Sequence, residues 1–256
     1  MGYWNGDLLK PMKSVNQEVY SVLEDAIEHF NETLFKGELP SVVLTLQRDK
    51  NVMGYCSHKR WVGIDGSMKT EIAINPEYVA CEPLVCLFQT IVHELCHLWQ
   101  YEFGKPGRGR YHNKEWANKM ESIGLMASST GKPGGKKTGD RMNDYPIKGG
   151  LFLNACRSLV EENKFTIKWT DRYQASSKKQ DEDVSTNDIE DQDLIDEALN
   201  TKLTDMVDAK FIVNLSEEPK VQTRAKYSCE SCGANVWGKF GLNLVCKDCN
   251  CSFTES

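Results

Sequence analysis

Histidine is scarce in this sequence, and no apolar run is long enough to cross a membrane. Only five of the 256 residues are histidine, so two that lie at metal-ligand spacing stand out. A membrane-spanning helix needs about 20 consecutive apolar residues. Residues 1–7 lack the basic and apolar regions of a signal peptide. We therefore expect a cytosolic (cytoplasmic) protein with no membrane partner.

The sequence also lacks the Walker pattern of nucleotide-binding proteins. Residues 126–150 are expected to form a loop rich in Gly, Lys and Ser, but no strand–Gly-x-x-x-x-Gly-Lys-Ser/Thr–helix arrangement surrounds its run 131–139. The segment either contacts phosphate through Lys and backbone N–H groups or forms a solvated loop, and the sequence favours neither interpretation. No nucleotide cofactor is expected. Tyr145 follows this segment and could stabilise an oxyanion, although nothing in the sequence shows that it reaches a metal.

Ten cysteines in a cytosolic chain indicate metal binding rather than disulfides. Two Cys-x-x-Cys pairs lie thirteen residues apart near the C-terminus, and their members are Cys229, Cys232, Cys246 and Cys249. Two such tight turns present four thiolates tetrahedrally to one zinc ion, so the spacing predicts a zinc ribbon. Its hairpin strands are expected at 235–240 and 242–245. Cys251 is a spare thiol that could compete with Cys249.

The strongest pattern is His-Glu-x-x-His at residues 93–97, inside an apolar helical pattern that runs over 84–99. His93 and His97 are four residues apart, so on a helix both imidazoles leave one face and can reach one Zn²⁺. Glu94 is then placed to take a proton from a metal-bound water. A polar triplet in so apolar a helix is costly without a partner, which favours a metal over two incidental histidines.

Two histidines leave a catalytic zinc site one ligand short, because such sites usually have three protein ligands and a water. His112 is the favoured third ligand. It follows the Gly-rich loop 104–111 and precedes Asn113, a suitable N-cap for the next helix. Glu115 or Glu121 would instead give a His-His-Glu site. That alternative stays open, although both glutamates can equally belong to a solvated helix face.

Hydrophobic periodicity predicts an α+β fold that combines helices with a few strands. Helices are expected at 14–35, 84–103, 114–124 and 150–162, and strands at 42–46, 53–56, 71–75 and 165–169. Ser14 and Gln17 have the spacing of a capping box. Strands before a zinc-binding helix commonly form a cleft wall, and an exposed edge can hold an extended peptide. His29 is expected in a packing or surface position and His58 in a surface loop, rather than at a metal.

Charge is unevenly distributed around the formal net value of −6. Residues 101–150 carry ten Lys or Arg against five Asp or Glu, whereas residues 177–210 carry four Lys against eleven acidic residues. An acidic, polar stretch is typical of a disordered linker, here with at most a short helix. We therefore expect a catalytic domain at 1–173, an acidic linker at 174–208 and the ribbon at 209–256.

Sequence likeness is carried by Phe30–Pro40, Thr90–His97 and Tyr111–Trp116, and the cysteine-rich C-terminus completes it. With these segments the chain resembles the SprT-like family, over about residues 15–125 plus the ribbon. The His-Glu-x-x-His motif alone is common to many families. The long sequence spacing from His97 to His112 distinguishes this chain from metzincins, whose third histidine follows more closely.

The resemblance implies a compact zincin-like domain in which His93, His97 and His112 bind zinc and Glu94 is the general base. Family members include proteases that remove proteins crosslinked to DNA. The chain is therefore expected to be a zinc endopeptidase in DNA–protein crosslink repair, with a protein substrate, DNA as a partner, and one catalytic and one structural zinc ion. The alternative is a non-catalytic nucleic-acid-binding or transcription-associated protein. The intact Glu94 favours the enzyme, because a structural site needs no general base.

Overall fold

The computed structural model describes residues 14–48, 52–161, 165–174, 197–214 and 223–255. The chain divides into two compact units, Met1–Leu215 and Ser216–Ser256. Helices and strands are mixed along the chain, which confirms the predicted α+β class. Residues 175–196, the larger part of the expected linker, lie outside the described residues.

The helices described in the first unit are α1 (Val15–Phe35), α2 (Pro76–Cys81), α3 (Leu84–Phe103), α4 (Lys114–Ser122), α5 (Leu151–Glu161) and α6 (Glu197–Asn200). Its strands are β1 (Val43–Leu46), β2 (Gly54–Val62), β3 (Met68–Ile74), β4 (Leu125–Ser128), β5 (Asn143–Pro146), β6 (Tyr173–Gln174) and β7 (Val213–Asn214). The four predicted helices are confirmed to within two residues at each end. Among the described helices, none has the length and apolar character needed to cross a membrane.

Helix α1 begins at the predicted capping box and packs through one apolar face. The Ser14 hydroxyl accepts a hydrogen bond from the Gln17 backbone N–H at 3.2 Å, and the Gln17 side chain accepts one from the Ser14 N–H at 2.9 Å. On the buried face, the Phe30 ring meets Phe88 of α3 edge-on at 5.4 Å and stacks near Phe152 of α5 at 6.3 Å. This aromatic cluster holds α1 and α5 against the motif-bearing helix α3.

The sheet has the order β1–β3–β2, with β1 parallel and β2 antiparallel to the central strand. The predicted strands at 42–46 and 71–75 are confirmed. The strand expected at 53–56 is longer than predicted, because a register shift between Ser57 and Trp61 lets it continue past a bulge. His58 therefore lies in a strand rather than a loop, and its ring stacks on Tyr101 of α3 at 4.4 Å.

The strand predicted at 165–169 is wrong. These residues form no regular strand, although Phe165 and Ile167 pack against the core, so their alternation reflects side-chain burial without a partner strand. The first unit also extends beyond the predicted boundary at 173. Leu199 is only 1% exposed within the core, and the Thr201 carbonyl accepts a hydrogen bond from the Leu84 N–H at 3.1 Å. The described part of the expected linker thus packs on the start of α3.

The second unit consists of short strands around the cysteines. They are β8 (Ala225–Ser228), β9 (Asn235–Gly238), β10 (Val245–Cys246), β11 (Cys251–Ser252) and β12 (Thr254–Glu255). The expected hairpin between 235–240 and 242–245 does not form. Instead β9 pairs with β8, and β10 pairs with β11. Among the described residues of this unit, only Ala225, Tyr227, Cys229 and Cys246 are buried, so its core is small.

Candidate metal centres

Three imidazoles converge in the first unit. Helix α3 presents His93 and His97 on one face, and the segment before α4 brings in His112. The Nε2 atom of His112 lies 3.3 Å from that of His93 and 3.0 Å from that of His97. Tetrahedral zinc with Zn–N bonds of about 2.0–2.1 Å separates its ligand nitrogens by roughly 3.3 Å. The donor set and its spacing therefore fit zinc.

Main-chain pairing holds His112 in place. Its N–H donates to the Gly139 carbonyl at 2.8 Å, and the Gly139 N–H donates back to the His112 carbonyl at 3.1 Å. The His112 Nδ1 atom also lies 3.1 Å from the Gly139 carbonyl oxygen. Because a carbonyl only accepts, Nδ1 must carry the proton, which leaves the Nε2 lone pair available to a metal.

Asp144 orients His93 in the same way, and sequence reasoning missed it. Its Oδ2 atom lies 3.0 Å from His93 Nδ1, and the Gln89 amide donates to its Oδ1 at 3.0 Å and to its main-chain carbonyl at 3.1 Å. Asp144 stands in β5, inside a segment interpreted from sequence as a loop. Tyr145 comes next on the strand, so its side chain leaves the opposite face from Asp144. No spacing rule connects residues 51 positions apart in sequence.

Burial and mutual charge keep two of the three imidazoles neutral. Burial, reinforced by neighbouring His93 and His112, lowers the pKa of His97 to about 2, and burial with His93 lowers the pKa of His112 to about 4. Burial also works to lower the pKa of His93, but the hydrogen bond to Asp144 and the charges of Glu94 and Asp144 outweigh it and raise that pKa. Neutral imidazole is the form that binds a metal.

The Trp116 ring forms an apolar wall against the histidines. Trp116 is completely buried at the first turn of α4, and its ring centroid lies 4.5–5.3 Å from those of His93, His97 and His112. Its indole N–H has no hydrogen-bond partner among the described residues. A rigid ring on one side restricts the tilt of all three imidazoles, which keeps their Nε2 atoms together.

Glu94 lies beside the imidazoles and is 7% exposed. Burial raises the pKa of its carboxyl, while the charge of His93 and the backbone N–H of Cys56 in β2 oppose that shift. A carboxylate whose pKa is raised toward neutrality accepts protons more readily at physiological pH than an exposed one. Glu94 is thus suited to hold a proton during a reaction.

The two alternative glutamate ligands have other partners. Glu115 accepts hydrogen bonds from the Gln100 side chain at 2.8 Å and from the Lys105 N–H at 2.6 Å, so it ties the 104–113 loop to α3. Glu121 pairs with Lys137 at 2.9 Å on the exposed surface. The structure therefore gathers His112, and neither glutamate, with the motif histidines.

The four predicted cysteine thiols also come together in the second unit. Their sulfur atoms lie within 4.8 Å of one another, and Cys232 Sγ is 3.8 Å from Cys246 Sγ. Tetrahedral zinc with Zn–S bonds of about 2.3 Å separates its sulfurs by roughly 3.8 Å, so this group fits zinc as well. The Cys232 backbone N–H lowers the pKa of Cys229 to about 6, which favours the thiolate. Cys251 stands outside the four, with its sulfur 3.3 Å from that of Cys229.

The Gly- and Lys-rich turn between β4 and β5 uses its own N–H groups. Internal hydrogen bonds engage the N–H groups of Ser129, Gly131, Gly135 and Lys136. Because a phosphate cradle needs N–H groups that point outward, these bonds favour the solvated-turn interpretation over the phosphate site.

Comparison with known families places the first metal centre in context. The SprT-like family matches residues 23–135, a range that contains all three histidines and Glu94. The match ends well before the cysteines, so it leaves the ribbon outside the SprT-like segment.

Two curated relatives share parts of the chain. An uncharacterized protein in the mucB 3′ region of Salmonella typhimurium is 54% identical over 46 residues, which are 18% of this chain and 62% of the relative. Protein SprT of Vibrio parahaemolyticus is 33% identical over 97 residues, 38% of this chain and 52% of the relative. The chain thus spans between about half and three fifths of the length of these relatives. Among the solved structures, none matches the chain.

Proposed function

We propose that this chain is a zinc-dependent endopeptidase that acts on proteins bound or crosslinked to DNA. One observation carries the proposal: three imidazole Nε2 atoms converge beside the buried carboxyl of Glu94, within a SprT-like segment. A purely structural zinc site needs neither an adjacent buried carboxyl nor a position left for water. The arrangement therefore supports catalysis more strongly than a structural role.

The protein groups divide the chemistry among them. Zinc held by His93, His97 and His112 would polarise a scissile carbonyl and lower the pKa of a bound water. Glu94 takes the proton from the attacking water and passes it to the leaving amine. Asp144 is a positioning residue, because it fixes the tautomer of His93 without reaching the metal. The edge strand β2 can hold an extended substrate segment by main-chain pairing.

The DNA-linked part of the proposal rests on charge and on family likeness. Residues 101–150 carry an excess of five positive charges, which suits a phosphate backbone. The ribbon exposes Trp237 and Phe240 near basic side chains, and such rings can stack on unpaired bases. DNA as a partner and a cytoplasmic location are parts of the same proposal.

The alternative, a non-catalytic zinc-stabilised nucleic-acid-binding protein, draws support from the ribbon alone. The ribbon can fold around a metal without contributing to a reaction, and the basic segment suits either function. The two functions differ in what they require of Glu94, because only the enzyme needs its carboxylate.

The deciding experiment compares the full-length protein with Glu94→Gln. We expect the variant to keep two zinc ions by elemental analysis and to lose cleavage of a DNA-bound protein by a factor of about 10² or more, since an amide cannot accept the proton. Glu102→Gln is the matched control, because Glu102 is an exposed glutamate on the same helix. Equal cleavage by Glu94→Gln and wild type would remove the mechanism.

The DNA-linked role is measured in the same assay. Cleavage by the wild type should rise when substrate and enzyme share one DNA molecule, and the gain should shrink as salt increases, because phosphate contacts release counterions. Cleavage that is indifferent to DNA would leave an endopeptidase without a DNA-linked role.

A further inference from the structure

The sheet packs one face against the helices, and its other face carries a cleft. On β3, Ile72 and Ile74 are buried in the core, so Glu71, which alternates with them, belongs to the other face. That face carries an open cleft of ≈ 420 Å³, which we call the sheet-face cleft. Its lining residues are Gln47, Tyr55, Arg60, Trp61 and Glu71. Neither metal centre uses any of these side chains.

The bulge in β2 shapes this cleft. Lys59 has a φ of 49°, at the point where the pairing shifts from Ser57 to Trp61. Neighbours on a regular strand point to opposite faces, but here Arg60 and Trp61 both line the cleft. Trp61 is 48% exposed, and Lys69 is its direct cross-strand partner. The bulge therefore brings the Trp61 ring close to two cationic side chains, Arg60 and Lys69.

Glu71 forms the polar floor of the cleft. It is 5% exposed, and its oxygens accept hydrogen bonds from the Thr45 hydroxyl at 2.6 Å and the Trp61 indole N–H at 3.3 Å. Both donors are neutral, and each carboxylate oxygen can accept a further hydrogen bond. A ligand that brings additional N–H groups can fill these remaining acceptor positions.

The rim of the cleft has the opposite charge. Lys59, Arg60 and Lys69 are all exposed, and only Asp65, at the tip of the β2–β3 hairpin, is an exposed acid between Gly54 and Ile74. A ligand that fits must offer anionic groups to the rim, a flat ring to the aromatic side chains and N–H donors to the floor. Single-stranded nucleic acid offers all three, whereas a duplex hides its rings and its base N–H groups in stacking and pairing.

We propose that the sheet-face cleft binds single-stranded nucleic acid. An unpaired base stacks on Trp61 beside Tyr55 and donates an N–H to Glu71, while Arg60 and Lys69 neutralise the flanking phosphates. The inference rests on the DNA-linked part of the proposed function and gives it a location on the catalytic unit, separate from the ribbon. It does not depend on whether the metal centre cleaves peptides.

The experiment measures the binding of fluorescein-labelled dC20 to the full-length protein by anisotropy. Trp61→Ala should weaken binding roughly 5- to 150-fold, the usual effect of losing one stacked base. Trp169→Ala is the matched control and should bind like wild type. Its ring is 52% exposed on the same unit, and its indole N–H also donates to a glutamate, Glu18, at 2.8 Å. An equal loss in both variants, or none in Trp61→Ala, would overturn the proposal.

Two further measurements separate stacking from other causes. Trp61→Phe keeps a ring but loses the bond to Glu71, so it should retain most of the affinity. A loss as large as that of Trp61→Ala would assign the effect to the fold and overturn the proposal. A strand of the same length made of abasic sites should bind wild type and Trp61→Ala alike, because it retains phosphates but has no bases.

Failure of the nucleic-acid proposal and failure of the proposed endopeptidase function would give different results. Zinc content and the cleavage assay with Glu94→Gln report on the metal centre, whereas dC20 binding reports on the cleft. If Trp61→Ala loses cleavage of a DNA-free protein substrate but binds dC20 normally, the face docks protein and the nucleic-acid assignment is wrong.

Discussion

The three-histidine centre takes its residues from a packed core, whereas the four-cysteine centre lies among short strands with little core of their own. His93 and His97 stand on a 20-residue helix, and Trp116, Asp144 and Gly139 hold the imidazoles from several sides. Around the cysteines, strands of two to four residues provide the framework. Hydrophobic burial stabilises the first centre before any metal arrives, but it cannot do the same for the second.

This difference matches the chemistry that each centre can perform. Three histidines leave one position of a tetrahedral metal for water, and Glu94 lies next to it. Four thiolates close the coordination sphere, so a metal there stabilises structure only. A preorganised, open centre suits catalysis, and a closed centre suits a module that folds around its metal.

The largest effect is expected from removing the metal. A strong chelator should unfold the ribbon and leave the first unit folded, because structural zinc supplies on the order of 10–16 kcal/mol to small zinc modules. Amide NMR spectra of the full-length protein should lose the dispersed signals of 223–255 and keep those of 14–161. Cys232→Ser should reproduce this pattern without chelator. Unfolding of both units together would contradict the expectation that the first unit folds without its metal.

The next effect concerns the support around the histidines. Asp144→Ala should lower the zinc affinity of the histidine centre about 10- to 100-fold, as loss of a residue that orients a ligand usually does. Asp144→Asn, which retains an acceptor, should lose less. Asp140→Asn removes an exposed charge from the same segment and is the control. Competition with a chromophoric chelator measures the affinity. Unchanged affinity in Asp144→Ala would contradict the orienting role.

A smaller effect is expected from pH on the metal-free first unit. The pKa values of His97 and His112 are lowered from 6.5 to about 2 and about 4, chiefly by burial. Below the unfolded value the unfolded chain binds more protons, so stability falls as pH drops from about 6.5 toward 4. The raised pKa values of His93 and Glu94 act the other way: the contribution of each is present below its unfolded value, 6.5 for His93 and 4.5 for Glu94, and disappears as pH rises through its folded value.

Urea titrations in the presence of chelator provide the measurement. The midpoint should be lower near pH 5 than near pH 7.5, and the difference should be smaller in His112→Asn, which removes one titrating group. A pH difference as large in that variant as in wild type would assign the effect to other residues.

The smallest effect is expected at the fifth ribbon thiol. Cys251→Ser should retain both zinc ions, because Cys251 stands outside the group of four thiols. Cys249→Ser should lose the ribbon zinc. The two substitutions lie two residues apart in sequence, and elemental analysis of each variant gives its zinc content. Loss of zinc in Cys251→Ser alone would make Cys251 the ligand and Cys249 the spare thiol.

Local rules were enough to predict the elements whose cause lies within a few residues. The capping box at Ser14 and Gln17 marks the start of α1, and the four-residue step in α3 puts His93 and His97 on one face. The same rules failed for residues 165–169, because alternation of buried side chains does not require a partner strand. They also placed the ribbon strands in the wrong pairs, since pairing depends on which strand arrives alongside.

Sequence by itself determined the helix that carries the motif, the two cysteine knuckles and the choice of His112 as the candidate to complete the site. Tertiary structure alone decided what surrounds them. Asp144 reaches His93 because β5 returns beside α3, and Arg60 joins Trp61 over Glu71 because a bulge interrupts β2. These contacts join residues far apart in sequence or break a local periodicity, so no short-range pattern encodes them.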